Sequence, residues 1–273
     1  MSLYRAYHFK IEDPDTFRDI FIARLADIGF EGFVETEEGF IAYSSFEKNP
    51  DKYLAEYTVN YSYTINIIAE QNWNILWEQQ IQPLVIDNRV YIKTSFHPEK
   101  DYPTSITIDP KMSFGTGHHE TTFLMIKQLL KLNLKDKSVL DMGAGTGVLS
   151  ILSAQLGAQP IYAVDNDKWA YENMLENFKK NNTNKIKAFL GDASILKKFH
   201  TFDIILANIN RNILLKDIPK YTKNLKMNGK LIISGFYTED ANMLLEKSKK
   251  NGMIFDNQLI KNNWISITMK KIF

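Results

Sequence analysis

A chain of 273 residues is long enough for about two domains and a substantial core, and the absence of cysteine excludes a disulfide framework and any thiolate metal site. With 44% hydrophobic and 24% charged residues, and no run near the roughly 18 unbroken apolar residues of a membrane helix, the composition is that of a soluble globular protein; Met1–Arg5 shows no export signal, so a cytoplasmic setting is expected. The net charge of +1 hides an asymmetry: residues 1–100 hold nine Lys/Arg against sixteen Asp/Glu and residues 101–273 hold twenty-four against sixteen, so the front part repels nucleic-acid phosphates and suits a basic partner.

The first segment alternates from Tyr4 to Ile11. Asp13-Pro14 then starts a helix, with Phe17, Ile20, Phe21, Leu25 and Ile28 at helical spacing and Gly29 at its close. Phe33–Glu35 and Phe40–Tyr43 read as strands around Glu37-Glu38-Gly39, Asn49-Pro50 opens a second helix through Tyr57, and Tyr61–Ile68 returns to strand character. The order β-α-β-β-α-β is that of a small α+β ferredoxin-like domain over residues 1–70. Residues 71–95 read as a linker. Trp73 and Trp77 stand at i and i+4 on one helix face, suited to interdomain packing or to stacking a substrate, and Leu84–Ile86 and Val90–Lys93 form a hairpin over Asp87-Asn88.

From residue 96 onward the pattern changes. Thr104–Ile108 is a strand, Asp109-Pro110 breaks it, and the loop from Ser113 to Thr122 leads into a helix from Glu120 to about Leu132. Strands and helices then alternate through Val139–Met142, Ile161–Asp165, Ile186–Leu190, Phe202–Ile209 and Lys230–Ser234, and two paired strands follow at Met253–Ile260 and Trp264–Met269. This predicts an α/β fold, a doubly wound sheet with an antiparallel end.

The stretch Val139-Leu140-Asp141-Met142-Gly143-Ala144-Gly145-Thr146-Gly147-Val148 is strand, tight turn and helix start. Its glycines admit close backbone approach, and the helix start offers free N–H groups to a ligand. A dinucleotide fingerprint would need glycine where Val148 stands. One helix later Asp165 ends the next strand, placed to hold two ribose hydroxyls in the same crevice as Gly143 and Gly145. Together these residues resemble the cofactor pocket of a Rossmann-like class I S-adenosylmethionine-dependent methyltransferase. Asn208, in Leu206-Ala207-Asn208-Ile209-Asn210, ends the fourth strand above the same crevice, where an amide can accept from an amino group. Methyltransferases of planar amides or base amines carry Asn-Pro-Pro-Tyr there. Asn-Ile-Asn suits an sp³ amine, although asparagine also serves to satisfy loop backbone groups.

The segments FGTGHHETT, LDMGAGTGVLSILSAQLGA, LANIN and LIISGF, with the Trp73…Trp77 helix, together resemble the ribosomal protein L11 methyltransferase (PrmA) family. The resemblance implies that Thr122, Gly143, Asp165 and Asn208 contact S-adenosylmethionine, with Asn208 as the catalytic residue beside the accepting amine. It also implies a front domain that grips a basic ribosomal protein and a mobile linker that lets lysine side chains and the N-terminal α-amine reach one site. His118 stands where the family usually has threonine and Glu120 where it has proline; either histidine of the loop could accept a proton or simply make structural hydrogen bonds. No carboxylate or histidine cluster has metal-ligand spacing, so no metal is expected. A monomer without membrane or direct nucleic-acid contact completes the expectation. The competing readings are an RNA or small-molecule amine methyltransferase, favoured by the basic rear, and a non-catalytic sensor of the same cofactor.

Overall fold

The computed structural model describes residues 3–10, 25, 28–30, 32–36, 39–45, 50, 54, 62–69, 82–109, 115, 117–183 and 185–273. The chain divides into two compact units, Met1–Leu76 and Trp77–Phe273. Among the described residues no helix is long and apolar enough to cross a membrane.

In the first unit, β1 (Leu3–Lys10), β2 (Gly32–Thr36), β3 (Gly39–Ser45) and β4 (Ser62–Ala69) form one antiparallel sheet in the order β2-β3-β1-β4. That is the order a β-α-β-β-α-β ferredoxin-like unit has. Most of the two expected helices, and the Trp73…Trp77 segment, lie outside the described residues. Alternation along β1 sends Tyr7 and Phe9 into a core with Phe30, Phe40, Leu25 and Leu54. Phe9 stacks on Phe40 at 5.2 Å between centroids and Tyr7 meets Phe30 edge-on at 4.9 Å, so removing one such ring costs about 3–5 kcal/mol.

The second unit begins with β5 (Leu84–Ile86) and β6 (Val90–Lys93), a hairpin whose Asp87 and Asn88 both take positive φ, 50° and 51°. Here β6 also pairs in parallel with β7 (Thr104–Thr107), which ties the hairpin to the second unit. The main sheet has seven strands: β8 (Val139–Met142), β9 (Ile161–Asp165), β10 (Lys187–Leu190), β11 (Phe202–Asn208), β12 (Leu225–Tyr237), β13 (Met253–Lys261) and β14 (Trp264–Lys271), in the order β10-β9-β8-β11-β12-β14-β13. The first five run parallel, and β14 pairs antiparallel with both β12 and β13. The doubly wound sheet with an antiparallel end is therefore present as expected.

The helices are α1 (Glu120–Leu129), α2 (Val148–Gln155), α3 (Lys168–Lys180), α4 (Arg211–Lys223) and α5 (Ala241–Lys249). Period-2 alternation supplies both faces of the central strands: Val139, Ile204 and Leu206 face a core shared with α1, α2 and α3, while Leu140, Ile205 and Ala207 face one shared with α4 and α5. Burial on both faces explains why these strands read as continuous apolar runs. Sequence-local caps fix where the helices start, as Asp167 accepts from Trp169 N and Ala170 N at 2.6 and 3.0 Å, and Asn210 accepts from Ile213 N at 3.1 Å. Strand order reverses between β8 and β11, which is where a crevice opens at the carboxyl ends of such a sheet.

Candidate functional site

The glycine turn leaves β8 with φ of 66°, 55° and 81° at Gly143, Gly145 and Gly147, values that strain an L side chain. Space forbids one as well: a Cβ on Gly143 would meet Ile209 Cγ1 at 2.8 Å. The turn is bonded directly to the acid that ends β9. Gly145 N donates to Asp165 Oδ2 at 2.8 Å and Asp167 N donates to Oδ1 at 3.0 Å. Each carboxylate oxygen can accept two bonds, so Asp165 keeps one acceptor position on each oxygen for a vicinal hydroxyl pair. The turn after β8, with Gly143 and Gly145, and Asp165 at the end of β9 are thus neighbours at the carboxyl ends of adjacent strands.

Asn208, at the tip of β11, is brought to Thr122 from 86 positions away, and its Nδ2 donates to Thr122 Oγ1 at 3.2 Å. Its Oδ1 is buried and has no hydrogen-bond partner among the described residues. A buried acceptor left in that state costs about 1–3 kcal/mol, which an incoming N–H donor relieves. Thr122 is buried in the first turn of α1.

A further carboxylate, which the sequence reading passed over, sits inside β8. Asp141 is buried, accepts from Ser150 Oγ at 2.7 Å through Oδ2, and has no partner for Oδ1. Burial, reinforced by the neighbouring Asp165 charge, pushes its pKa up to about 7, against the lowering effect of Ser150. In a strand of four buried residues it looks like an ordinary β8 position; only its place beside the glycine turn could have drawn notice.

The loop before α1 is tied down at several points, with Ser113, Phe114 and Thr116 outside the described residues. Asp109, at the loop's start, accepts from Ser95 N and Ser95 Oγ at 2.8 and 2.5 Å and from Lys180 Nζ. Burial alone would raise its pKa, but these donors hold the carboxyl below the usual carboxylate range. In mid-loop, Thr146 Oγ1 from the glycine turn donates to Gly115 O at 2.7 Å. At its end His118 Nε2 donates to Gln82 O at 2.6 Å, and His119 caps α1 by accepting from Thr121 N. Both histidines make structural hydrogen bonds. Glu120 accepts from Asn262 Nδ2 at 3.0 Å, the main reason its carboxyl stays below the ordinary range. Among the described residues no group of three or more metal-ligating side chains gathers.

With this geometry established, the chain can be set beside known proteins. The family model described as ribosomal protein L11 methyltransferase (PrmA) matches residues 27–272. Proteins named ribosomal protein L11 methyltransferase from Phocaeicola vulgatus and Bacteroides thetaiotaomicron are each 42% identical over 264 residues, covering 93% of this chain and 93% and 94% of theirs. A crystal structure titled ribosomal protein L11 methylase, from Lactobacillus delbrueckii subsp. bulgaricus, superposes with a TM-score of 0.65 at 24% identity, covering 71% of this chain and all of that one, which speaks for the fold. The chain belongs to the ribosomal protein L11 methyltransferase (PrmA) family and carries the family's class I S-adenosylmethionine-dependent methyltransferase fold.

Proposed function

We propose that this protein transfers methyl groups from S-adenosylmethionine to amino groups of ribosomal protein L11, both lysine side chains and the N-terminal α-amine. The observation that carries the reading is the unpartnered, buried Oδ1 of Asn208, held by Thr122 at the strand tip adjoining the Gly143–Asp165 crevice. Family membership supplies the substrate.

Gly143, Gly145, Asp165, Thr122 and Asn208 would hold the cofactor, with Asp165 on the ribose hydroxyls and the glycine turn against the nucleoside. When bound, S-adenosylmethionine supplies an electrophilic methyl group on a sulfonium and leaves as a thioether. The chain's own task is positioning, which can account for most of the acceleration in a displacement of this kind. Asn208 Oδ1 accepts one N–H of the acceptor amine, and Thr122 fixes the amide so that the nitrogen lone pair keeps its direction. A lysine amine, with a reference pKa of about 10.4, arrives protonated. Leaving water for the crevice disfavours the ammonium form, and the proton passes to solvent before transfer, so no strong base is required. In this reading residues 1–70 recognise the ribosomal protein and residues 71–95 link the parts of a cytoplasmic monomer.

Purified protein incubated with isotopically labelled S-adenosylmethionine and either L11 or ribosomal RNA tests this. The expected result is label in L11, mapped by mass spectrometry to lysine and α-amine positions. Label in RNA alone would favour the nucleic-acid reading and overturn this one.

A further inference from the structure

An aromatic pair, Tyr237 and Trp264, stands at the same end of the sheet as Asn208. Asn208 pairs in register with Ser234 across β11 and β12, and Tyr237 pairs with Trp264 across β12 and β14. Tyr237 therefore leaves the sheet three residues past the partner of Asn208. Its ring lies 4.1 Å from that of Trp264, tilted by 36°, and Trp264 in turn meets His119 edge-on at 4.8 Å. His119 caps the helix whose first turn holds Thr122, the tether of Asn208. Strand register on one side and α1 on the other thus bring the two rings and Asn208 to the same end of the sheet.

Gly235 secures the arrangement. With φ of 99°, it lies where a Cβ would come within 2.4 Å of Ile209 O, so β12 can close against the residue after Asn208. Tyr237 remains 41% exposed although it is stacked on a tryptophan. Close in sequence to Tyr237 and Trp264 stand Glu239, Asp240 and Lys261, and Lys261 Nζ lies over the Phe123 ring at 4.1 Å. Asp240 is bound to Arg211 at 2.7 Å and Glu120 to Asn262.

We infer that Tyr237 and Trp264 form the subsite for the acceptor side chain, a cationic alkylamine whose stem lies along the rings and whose nitrogen is delivered to Asn208. The inference rests on the methyltransferase reading above and names the part of that site which recognises substrate. Aromatic faces attract alkylammonium groups, and methyl-ammonium ions in particular are recognised by such surfaces. An amine that has already gained a methyl is therefore held at the rings as well as an unmodified one.

The test compares wild type, Tyr237→Leu and Tyr237→Phe, reading KM for L11 by steady-state transfer and Kd for S-adenosylhomocysteine by calorimetry. Tyr237→Leu is expected to raise KM by about three- to thirty-fold, the range of a cation–π contact, with Kd within about twofold. Tyr237→Phe should restore most of the loss. In wild type, free Nε-trimethyl-lysine should inhibit transfer better than norleucine, its uncharged counterpart, a comparison that needs no variant. A KM for Tyr237→Leu within twofold of wild type, a Kd that weakens in step with KM, no recovery in Tyr237→Phe, or equal inhibition by the two amino acids would each overturn the subsite. A wild-type protein that transfers nothing to L11 removes the functional reading itself, an outcome visible before any variant is compared.

Discussion

The two ends of the Asn208 amide differ: Nδ2 is anchored on Thr122 Oγ1, while Oδ1 is buried without a hydrogen-bond partner among the described residues, the end that the proposed function gives to the acceptor amine. Removing the whole amide should therefore damage transfer more than cofactor binding. In Asn208→Ala, kcat is expected to fall by about 10²-fold or more, the scale seen when a positioned polar group at a reacting centre is deleted, while calorimetry should find the Kd for S-adenosylhomocysteine changed only a few-fold. Equal losses in both would remove Asn208 from the reaction. Asp141 gives a second expectation. With a pKa near 7 in the folded chain against 3.8 for an unperturbed aspartate, the folded state holds a proton that the unfolded state has lost between those values. Stability from this group is thus fully present below about pH 4 and is lost as pH rises through 7. Asp141→Asn has nothing to titrate, so denaturant unfolding should show it gaining on wild type by about 2–3 kcal/mol between pH 5 and pH 8. A stability difference that does not change with pH would show that Asp141 is already ionised.

At the scale of elements, α3 ties the acid-bearing strand to the loop before α1. Asn173, Asn177 and Asn181 stand four residues apart on one face. Asn173 Nδ2 donates to Asp109 O at 2.7 Å, and Asn181 exchanges bonds with both backbone groups of Thr107 at 2.8 and 2.7 Å. Between them the fully buried Asn177 accepts from Asp109 N at 3.1 Å and donates to Thr146 O at 3.0 Å, joining the loop's first residue to the glycine turn. Asn177→Ala leaves two buried backbone groups unpaired, which should cost about 2–4 kcal/mol in thermal or urea unfolding and weaken S-adenosylhomocysteine binding at temperatures where the variant is still folded. Asn208→Ala should do neither to that extent, and the contrast separates scaffold from reaction. The glycine turn, Asp165 and LANIN were legible because each is a short stretch whose chemistry is local to a strand end. The asparagine ladder was not, since three polar residues at helical spacing look like a solvated face until Thr107, Asp109 and Thr146 meet them. Asp141 hid for the converse reason, as one acid within an apolar run. The Tyr237–Trp264 contact depends on a register set across β12 and β14, which no local pattern announces.

Over the whole molecule, charge is divided by unit. Met1–Leu76 carries six Lys/Arg against thirteen Asp/Glu, while Trp77–Phe273 carries twenty-seven against nineteen. A protein substrate rich in lysine is drawn toward the first unit and repelled by the average field of the second, so its encounter should begin on the acidic unit. Such steering is screened with a Debye length of about 10 Å at 0.1 M salt and about 3 Å at 1 M. S-adenosylmethionine binding, by contrast, would in the proposed function rest on Gly145 and Asp165, which hydrogen-bond one another inside the fold, where added salt acts weakly. Raising salt from 0.05 to 0.5 M, roughly a threefold shortening of the screening length, is therefore expected to lower kcat/KM for L11 about tenfold or more, with the calorimetric Kd for S-adenosylhomocysteine nearly constant. Replacing Glu37 and Glu38 by lysine, in a turn between β2 and β3 by sequence, should flatten that dependence without altering cofactor affinity. If kcat/KM proved insensitive to salt, or if the double lysine variant kept the wild-type slope, recognition of the ribosomal protein would have to rest on shape and apolar contact instead of on the acidity of the first unit.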